Sequence, residues 1–275
     1  MRPVTWWSKA IFLFFQIFFV ILILFPILYA VDVSFMPQSQ LFKRPPNLMP
    51  TQLNFKNYSL ALENAPLFRF VLNSIIVASG VTIGQMILSS LAAFSFSHFQ
   101  FKGKNLAFMM ILATMMIPGE SIIISNYMTI GYLHLFDTYI ALILPALASA
   151  MSVFFMRQTF MQTPMALYEV ARLEGCSNLR YLFTLLLPLS KGSLGAISIY
   201  SFISSWNSYL WPLLVTNKTD MRTVQIGVGM LSDSESMGYG MIMAGITMIL
   251  LPSILIFIVG QKQILSGALA GSIKG

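Results

Sequence analysis

Long apolar runs separated by short polar stretches set the pattern of this chain. Six runs approach or exceed the roughly 20 residues that a helix needs to cross a hydrocarbon core about 30 Å thick. They are Ala10–Val31, Phe70–Phe96, Asn105–Ile124, Thr138–Met156, Leu194–Val215 and Met241–Gly260. The pattern predicts an all-α, polytopic membrane protein with six transmembrane helices, forming one domain over residues 1–275. The first run is longer than the apolar core of a cleaved leader and lacks a good cleavage signal near Ala30, so it reads as a retained span. Pro26, Pro145, Pro212 and Pro252 fall inside or at the ends of spans, where neighbouring helices can satisfy the freed carbonyls. Gly80 and Gly84 have small-xxx-small spacing, which predicts a close helix contact.

Composition agrees. The chain is 57% hydrophobic and 9% charged, against about 25% charged in soluble domains. That excludes a water-soluble enzyme, a disordered chain and a disulfide scaffold, and the lone Cys176 has no internal partner. The net charge of +7 reads as loop bias rather than nucleic-acid binding. With the N-terminus inside, the inner pieces hold Arg2, Lys9, Lys102, Lys104, Arg157, Arg172, Arg180, Lys191, Lys262 and Lys274. Six basic residues of the 16 are left outside. The positive-inside rule then favours both termini in the cytoplasm. The stretch Gly119–Asp137 has no Lys or Arg and belongs outside.

The chemistry that the spans lack is equally informative. No carboxylate or histidine lies deep in a span, as an ion-driven carrier usually requires. His98 and His134 fall in loops on opposite sides, so they cannot share a metal. No G-x-S-x-G and no G-x-x-x-x-G-K-[ST] occurs. An autonomous ion-coupled carrier and a membrane enzyme are thereby the weaker readings, and any uphill transport draws its energy from another polypeptide.

The segment Arg157–Gly192 carries the strongest local signal. Thr163-Pro164 reads as a helix start, Met165–Leu173 as a short helix, and Gly175 as its left-handed cap. Ser177 or Asn178 caps a second helix that Pro188 disturbs. Ala166, Val170 and Leu173 share one face at helical spacing. This elbow reads either as an amphipathic piece lying on headgroups or as a knob for a groove on a soluble partner.

The elbow resembles the cytoplasmic signature of ATP-binding-cassette importer permeases: E-A-A, three residues, Gly, nine residues, I-x-L-P. Glu169, Val170, Ala171 and Gly175 match its first part, and Leu185, Leu187 and Pro188 its end. The departures are Val170 for Ala, Leu185 for Ile, and Glu174 and Cys176 for the Asp and Ala that often flank the glycine. The resemblance runs from about Asn57 to the C-terminus, with LNSIIVA at Leu72, LHLFDTYIALILP at Leu133 and SSWNSYLWPLL at Ser204. It is to the maltose and glycerol-3-phosphate type, the second of two unlike membrane subunits. That family commonly has Gly where His134 stands.

The resemblance implies a non-catalytic permease subunit of a bacterial carbohydrate importer in the cytoplasmic membrane. Its partners would be a second, unlike permease subunit, an ATPase dimer, an extracytoplasmic solute-binding protein and membrane lipid, with no nucleic acid. ATP and Mg would sit on the ATPase, with no cofactor on this chain. The elbow would be the coupling helix, with Tyr168, Glu169, Val170, Ala171, Glu174, Gly175 and Pro188 as the coupling set. Glu169 read alone also suits compensation of its own helix dipole.

Ser198, Ser201, Ser205 and Ser208 form one polar stripe on the fifth span, with Trp206, Asn207, Tyr209 and Trp211 around its outer half. The stripe is either a cavity wall for a sugar or a packed helix face. Candidate pathway residues are Asn73, Ser201, Ser205, Asn207, Ser208 and Tyr209; Asn73 also suits a simple bond to a neighbouring helix. Glu120 is either an outer-gate residue or an interfacial carboxylate. The loop Thr216–Gly240, with Asp220, Asp233 and Glu235, faces the binding protein in the resembling family. Asp32–Arg69 reads as an irregular cover with a helix near Tyr58–Glu63. Spans without Lys or Arg suit a neutral carbohydrate; a glycerol-3-phosphate-type polyol phosphate is the alternative.

Overall fold

The structure, a computed structural model, describes residues 6–43, 47, 49–232 and 238–272. Among them it is helical throughout, with no strand. In chain order the helices are α1 (Trp6–Ser34), α2 (Gln38–Leu41), α3 (Lys56–Asn64), α4 (Leu67–His98) and α5 (Lys104–Thr114). The 3-10 turn Gly119–Ile122 leads into α6 (Ile123–Tyr132), followed by α7 (Tyr139–Ile143), the 3-10 turn Leu144–Ala146, and α8 (Ala150–Met161). Next come α9 (Met165–Leu173), α10 (Asn178–Tyr181), a π-helical turn Leu182–Leu186, α11 (Leu187–Leu189) and α12 (Lys191–Trp206). The chain ends with α13 (Leu210–Val215), the 3-10 turn Thr219–Met221, α14 (Val224–Ser232) and α15 (Tyr239–Ser272).

Two described helices are long and apolar enough to cross a bilayer unbroken, Ile11–Ser34 and Leu67–His98. Every side chain from Ile11 to Pro26 is exposed. A surface of Phe, Ile and Leu on that scale suits hydrocarbon, not water. Three further candidate spans are bent pairs. Lys104–Thr114 and Gly119–Tyr132 meet at 94°, Tyr139–Ala146 and Ala150–Met161 at 52°, and Asn178–Leu189 and Lys191–Trp206 at 86°. Tyr239–Leu255 is a shorter apolar helix.

The expected runs Asn105–Ile124 and Thr138–Met156 are therefore bent, while Leu194–Val215 is split between α12 and α13 and the 86° bend falls ahead of it. Pro118 forces the preceding residue out of the helical region, so α5 stops short of it. Ser149 starts α8 anew, its Oγ accepting the Ser152 N–H at 3.2 Å. Beyond α12, residues 207–209 leave the helix, and α13 restarts so that Pro212 falls in its first turn, where a missing N–H costs nothing.

The chain divides into two compact units, Met1–Leu67 with Gly227–Ser253, and Phe68–Ile226 with Ile254–Gly275. In the first, α3 covers the positions expected for a short helix. Its buried Asn57 donates to Ser34 O at 2.8 Å and Met36 O at 2.9 Å, fixing the end of α1. Asp233 and Glu235 lie outside the described residues.

The second unit holds two apolar cores. One joins Val77 and Val81 of α4 to Ile130, Ala141, Leu142 and Val215. Gly80 and Gly84 provide the close contact their spacing predicts: a Cβ on either would collide with Ile143 or Leu147. The other core joins Ala93 and Phe94 of α4 to Met156, Phe160, Ala171, Tyr181, Leu182, Leu186 and Ile197.

α6 ends in a left-handed cap at His134, φ +54°. His134 N–H donates to Gly131 O at 3.0 Å and Leu135 N–H to Ile130 O at 3.1 Å, the paired bonds of a Schellman motif. An L side chain at that position costs about 1 kcal/mol or more that glycine avoids. His134→Gly is accordingly expected to raise the thermal unfolding midpoint of the purified chain, by about 1 kcal/mol in stability. An unchanged or lowered midpoint would contradict this account of the cap.

Candidate functional site

Two features stand out in the second unit: the elbow and a polar recess. The elbow helix α9 spans Met165–Leu173, as its sequence predicts, and Gly175 is left-handed at φ +76°. Gly175 N–H donates to Arg172 O at 3.1 Å and Cys176 N–H to Ala171 O at 2.9 Å, again a Schellman pair. Arg172 reaches over the turn to Cys176 O at 3.0 Å. Ser177, not Asn178, caps α10, accepting the Arg180 N–H at 3.3 Å. Thr163 does not cap α9: Pro164 takes the cap position with ψ 130°, and no side chain bonds the first turn. Pro188 lies inside the short α11, after the π-turn that loosens the helix ahead of it.

The elbow is mounted on an aromatic cluster. Tyr168 stands 5.1 Å from His98, 5.0 Å from Tyr181 and 6.1 Å from Phe94, ring centre to ring centre. Its hydroxyl bonds Asn178 Oδ1 at 2.9 Å. Ala171 is buried against the same core. Both residues thus face their own chain. Ala171 has 9% of its surface exposed and packs inward rather than on the outer face. Ala166, Leu167, Val170 and Leu173 face outward, Leu173 with 87% of its surface exposed. Glu169 and Glu174 are exposed beside them. Glu169 is the fifth residue of α9, past the first turn where a carboxylate offsets the dipole. The first turn holds no acid.

The recess has a volume of about 460 Å³. Its walls come from α4 (Val77, Val81, Gln85), the turn Gly119–Ile122 with α6, the Leu142–Ala146 stretch, and α12 with its continuation to Pro212. Of the candidate pathway residues, Ser201, Ser205, Ser208 and Tyr209 line it; Ser204 joins them and Ser198 does not. The stripe is not one helix face, because Ser208 follows the break after Trp206. The bend nonetheless keeps Ser208 on the recess.

Gln85 ties the walls together. Its Nε2 donates to Ala146 O at 2.6 Å, and its Oε1 accepts from Ser201 Oγ at 2.8 Å and Ser152 Oγ at 3.4 Å. A lone glutamine in an apolar run was the signal available for it. Glu120 and Asn126 also line the recess. Trp211 is oriented by its Nε1–H donating to Ala141 O at 3.0 Å.

Two candidates lie elsewhere. Asn73 is fully buried and its amide is saturated. Nδ2 donates to Asp220 O at 2.7 Å and Arg222 O at 2.8 Å, while Oδ1 accepts from Tyr139 OH at 2.7 Å. It holds the 219–222 turn and does not line the recess. Asn207 is exposed, bonded to Gln225 Nε2 at 3.3 Å, and is likewise not a wall residue. Asp137 matters more than its place at a span end suggests. Left-handed at φ +59°, it accepts the N–H groups of Asn217 at 2.6 Å and Lys218 at 2.8 Å on Oδ1. Among the described residues no group of three or more His, Cys, Asp or Glu could hold a metal ion.

Comparison with known proteins adds the following. Residues 85–262 match the family described as binding-protein-dependent transport system inner membrane component. The arabinooligosaccharides transport system permease protein AraQ of Bacillus subtilis (strain 168) is 34% identical over 259 residues, 93% of this chain and 92% of that protein. The sn-glycerol-3-phosphate transport system permease protein UgpE of Yersinia pestis bv. Antiqua (strain Antiqua) is 34% identical over 256 residues, 90% of this chain and 91% of that protein. A chain from the crystal structure of a bacterial ABC transporter involved in import of the acidic polysaccharide alginate superposes with a TM-score of 0.81 at 20% identity. It covers 95% of this chain and 98% of that one, which shows the fold.

Proposed function

The chain belongs to the family of inner membrane components of binding-protein-dependent transport systems, and on that premise we propose that it is a non-catalytic permease subunit of an ATP-driven carbohydrate importer. It spans the membrane six times with both termini in the cytoplasm. It pairs with a second, unlike permease subunit and works with an ATPase dimer, which binds the ATP and Mg, and with an extracytoplasmic solute-binding protein. The names of AraQ and UgpE support a sugar or polyol-phosphate cargo, with carbohydrate as the first reading.

The observation that carries this reading is the outward apolar face of α9. Ala166, Leu167, Val170 and Leu173 are exposed on a helix whose opposite face is fixed to the protein core. Burying side chains of this size against a partner contributes about 1.5–3 kcal/mol for each that is fully covered. A rigid mounting also lets a push on the elbow reach α4, α8 and α12, whose residues share its core. Closure of the ATPase dimer would move two elbows as rigid bodies and switch the pathway between inward-open and outward-open states. The recess is this chain's contribution to that pathway, with Ser201, Ser205, Ser208 and Tyr209 on its wall. In the coupling set, Val170, Glu169 and Glu174 touch the ATPase. Tyr168, Ala171, Gly175 and Pro188 hold the elbow in shape.

The test is co-purification with the cognate ATPase. Gly175 is left-handed, with nothing within 4 Å of an added Cβ. Gly175→Glu therefore strains the turn and adds a charge without a clash. The variant is expected to insert normally and lose co-elution with the ATPase. Unchanged co-elution with substrate-stimulated ATP hydrolysis would overturn the coupling role.

A further inference from the structure

Resting on the recess being part of the pathway, we propose that Glu120 is a specificity residue that rejects anionic cargo, so that the substrate is an uncharged polyhydroxy compound rather than a phosphate ester or uronate. Among the residues lining the recess, Glu120 is the single charged one; none is Lys, Arg or His. Sites built for phosphate or carboxylate use cationic forks or unsatisfied helix N-termini. The 3-10 turn Gly119–Ile122 leads into α6, whose own first turn holds no acid; Glu120 stands just ahead of that N-terminus, where its charge already occupies the place that the dipole would offer an anion.

The remaining wall chemistry agrees. Three donors that an anion could use are committed internally: Ser201 Oγ to Gln85, Gln85 Nε2 to Ala146 O, and Trp211 Nε1 to Ala141 O. Glu120, Asn126, Ser204, Ser205 and Ser208 face the recess with no side-chain partner among the described residues. A neutral sugar donates hydroxyls to the carboxylate and exchanges hydrogen bonds with the serines. Tyr209 and Trp211 offer aromatic faces to its ring carbons. A lone carboxylate in a cleft whose other wall residues carry no charge focuses its field on the lumen, and such fields change local ion concentration tenfold or more.

The experiment uses the assembled transporter with Ser205→Cys as a reporter on the recess wall, labelling of Cys176 in the parent chain being subtracted. The probes are the cationic trimethylammonium-ethyl and the anionic sulfonatoethyl methanethiosulfonates, each rate normalised to a small soluble thiol. The cation is expected to label faster by on the order of tenfold. Glu120→Gln should bring the ratio close to one, and Glu120→Lys should invert it. Labelling without charge preference, or a preference that survives Glu120→Gln, overturns the specificity role and leaves the pathway reading standing. A Ser205→Cys that reacts with neither probe during turnover removes the pathway reading and this inference together. Uptake of glycerol-3-phosphate by the assembly with Glu120 in place also overturns it.

Discussion

Asn73→Leu is expected to cost about 3–4 kcal/mol of stability, enough to lower the yield of folded chain several-fold. The side chain is fully buried on α4 and satisfies three polar groups at once: the carbonyls of Asp220 and Arg222 and the hydroxyl of Tyr139. Leucine fills a similar volume but leaves all three without that partner, each at a cost of about 1 kcal/mol or more. Tyr139→Phe removes one member and leaves Asn73 Oδ1 short of a donor, for about 1–2 kcal/mol. Because the two share a bond, the double variant should lose less than the sum. Unfolding of the purified chain in detergent measures all three. A pathway residue would behave differently, with transport lost at unchanged stability, and that result would overturn the structural role given to Asn73.

Asn73 also illustrates what was legible in the sequence. An asparagine in an apolar run announces that it needs partners, but those partners lie in the 219–222 turn and on α7, well separated in sequence. The same holds for Gln85, whose partners are on α12, on α8 and in the Leu144–Ala146 turn, and for Asp137, whose carboxylate holds amides about 80 positions on. Short-range features were legible because their causes are local. The bounds of α9 and the left-handed Gly175 follow from backbone chemistry within a turn or two, and the spacing of Gly80 and Gly84 marks a close approach without naming Ile143 and Leu147 as its partners. The breaks in the apolar runs were not, since hydropathy is the same for a straight span and one bent by 94°. Pro118 and Pro212 were visible, but proline alone does not distinguish a kink from a stop. The exchange of roles on α9 was hidden for a related reason. Helical spacing groups Ala166, Val170 and Leu173 correctly, yet only the packed structure tells which face is inward.

That distinction yields the prediction with the largest functional effect. Leu173→Asp is expected to abolish coupled uptake while leaving the chain folded. Leu173 is 87% exposed, so its replacement should shift the stability of the isolated chain by no more than about 0.5 kcal/mol. In a docked elbow the same change removes about 2 kcal/mol of apolar burial and places a carboxylate in a dry groove. Together these reduce affinity for the ATPase on the order of a hundredfold or more. Tyr168→Ala should do the reverse. It strips the aromatic mount against Phe94, His98 and Tyr181 and the bond to Asn178, costing roughly 2–3 kcal/mol of chain stability. The outward face would keep its composition, so the ATPase still binds, but a loosened elbow transmits less of its movement. The pair separates contact from mounting: the first variant fails in co-elution, the second in substrate-stimulated ATP hydrolysis at retained co-elution. Should Leu173→Asp keep both association and uptake, the apolar face of α9 is a surface for lipid headgroups, and coupling must run through another part of the chain.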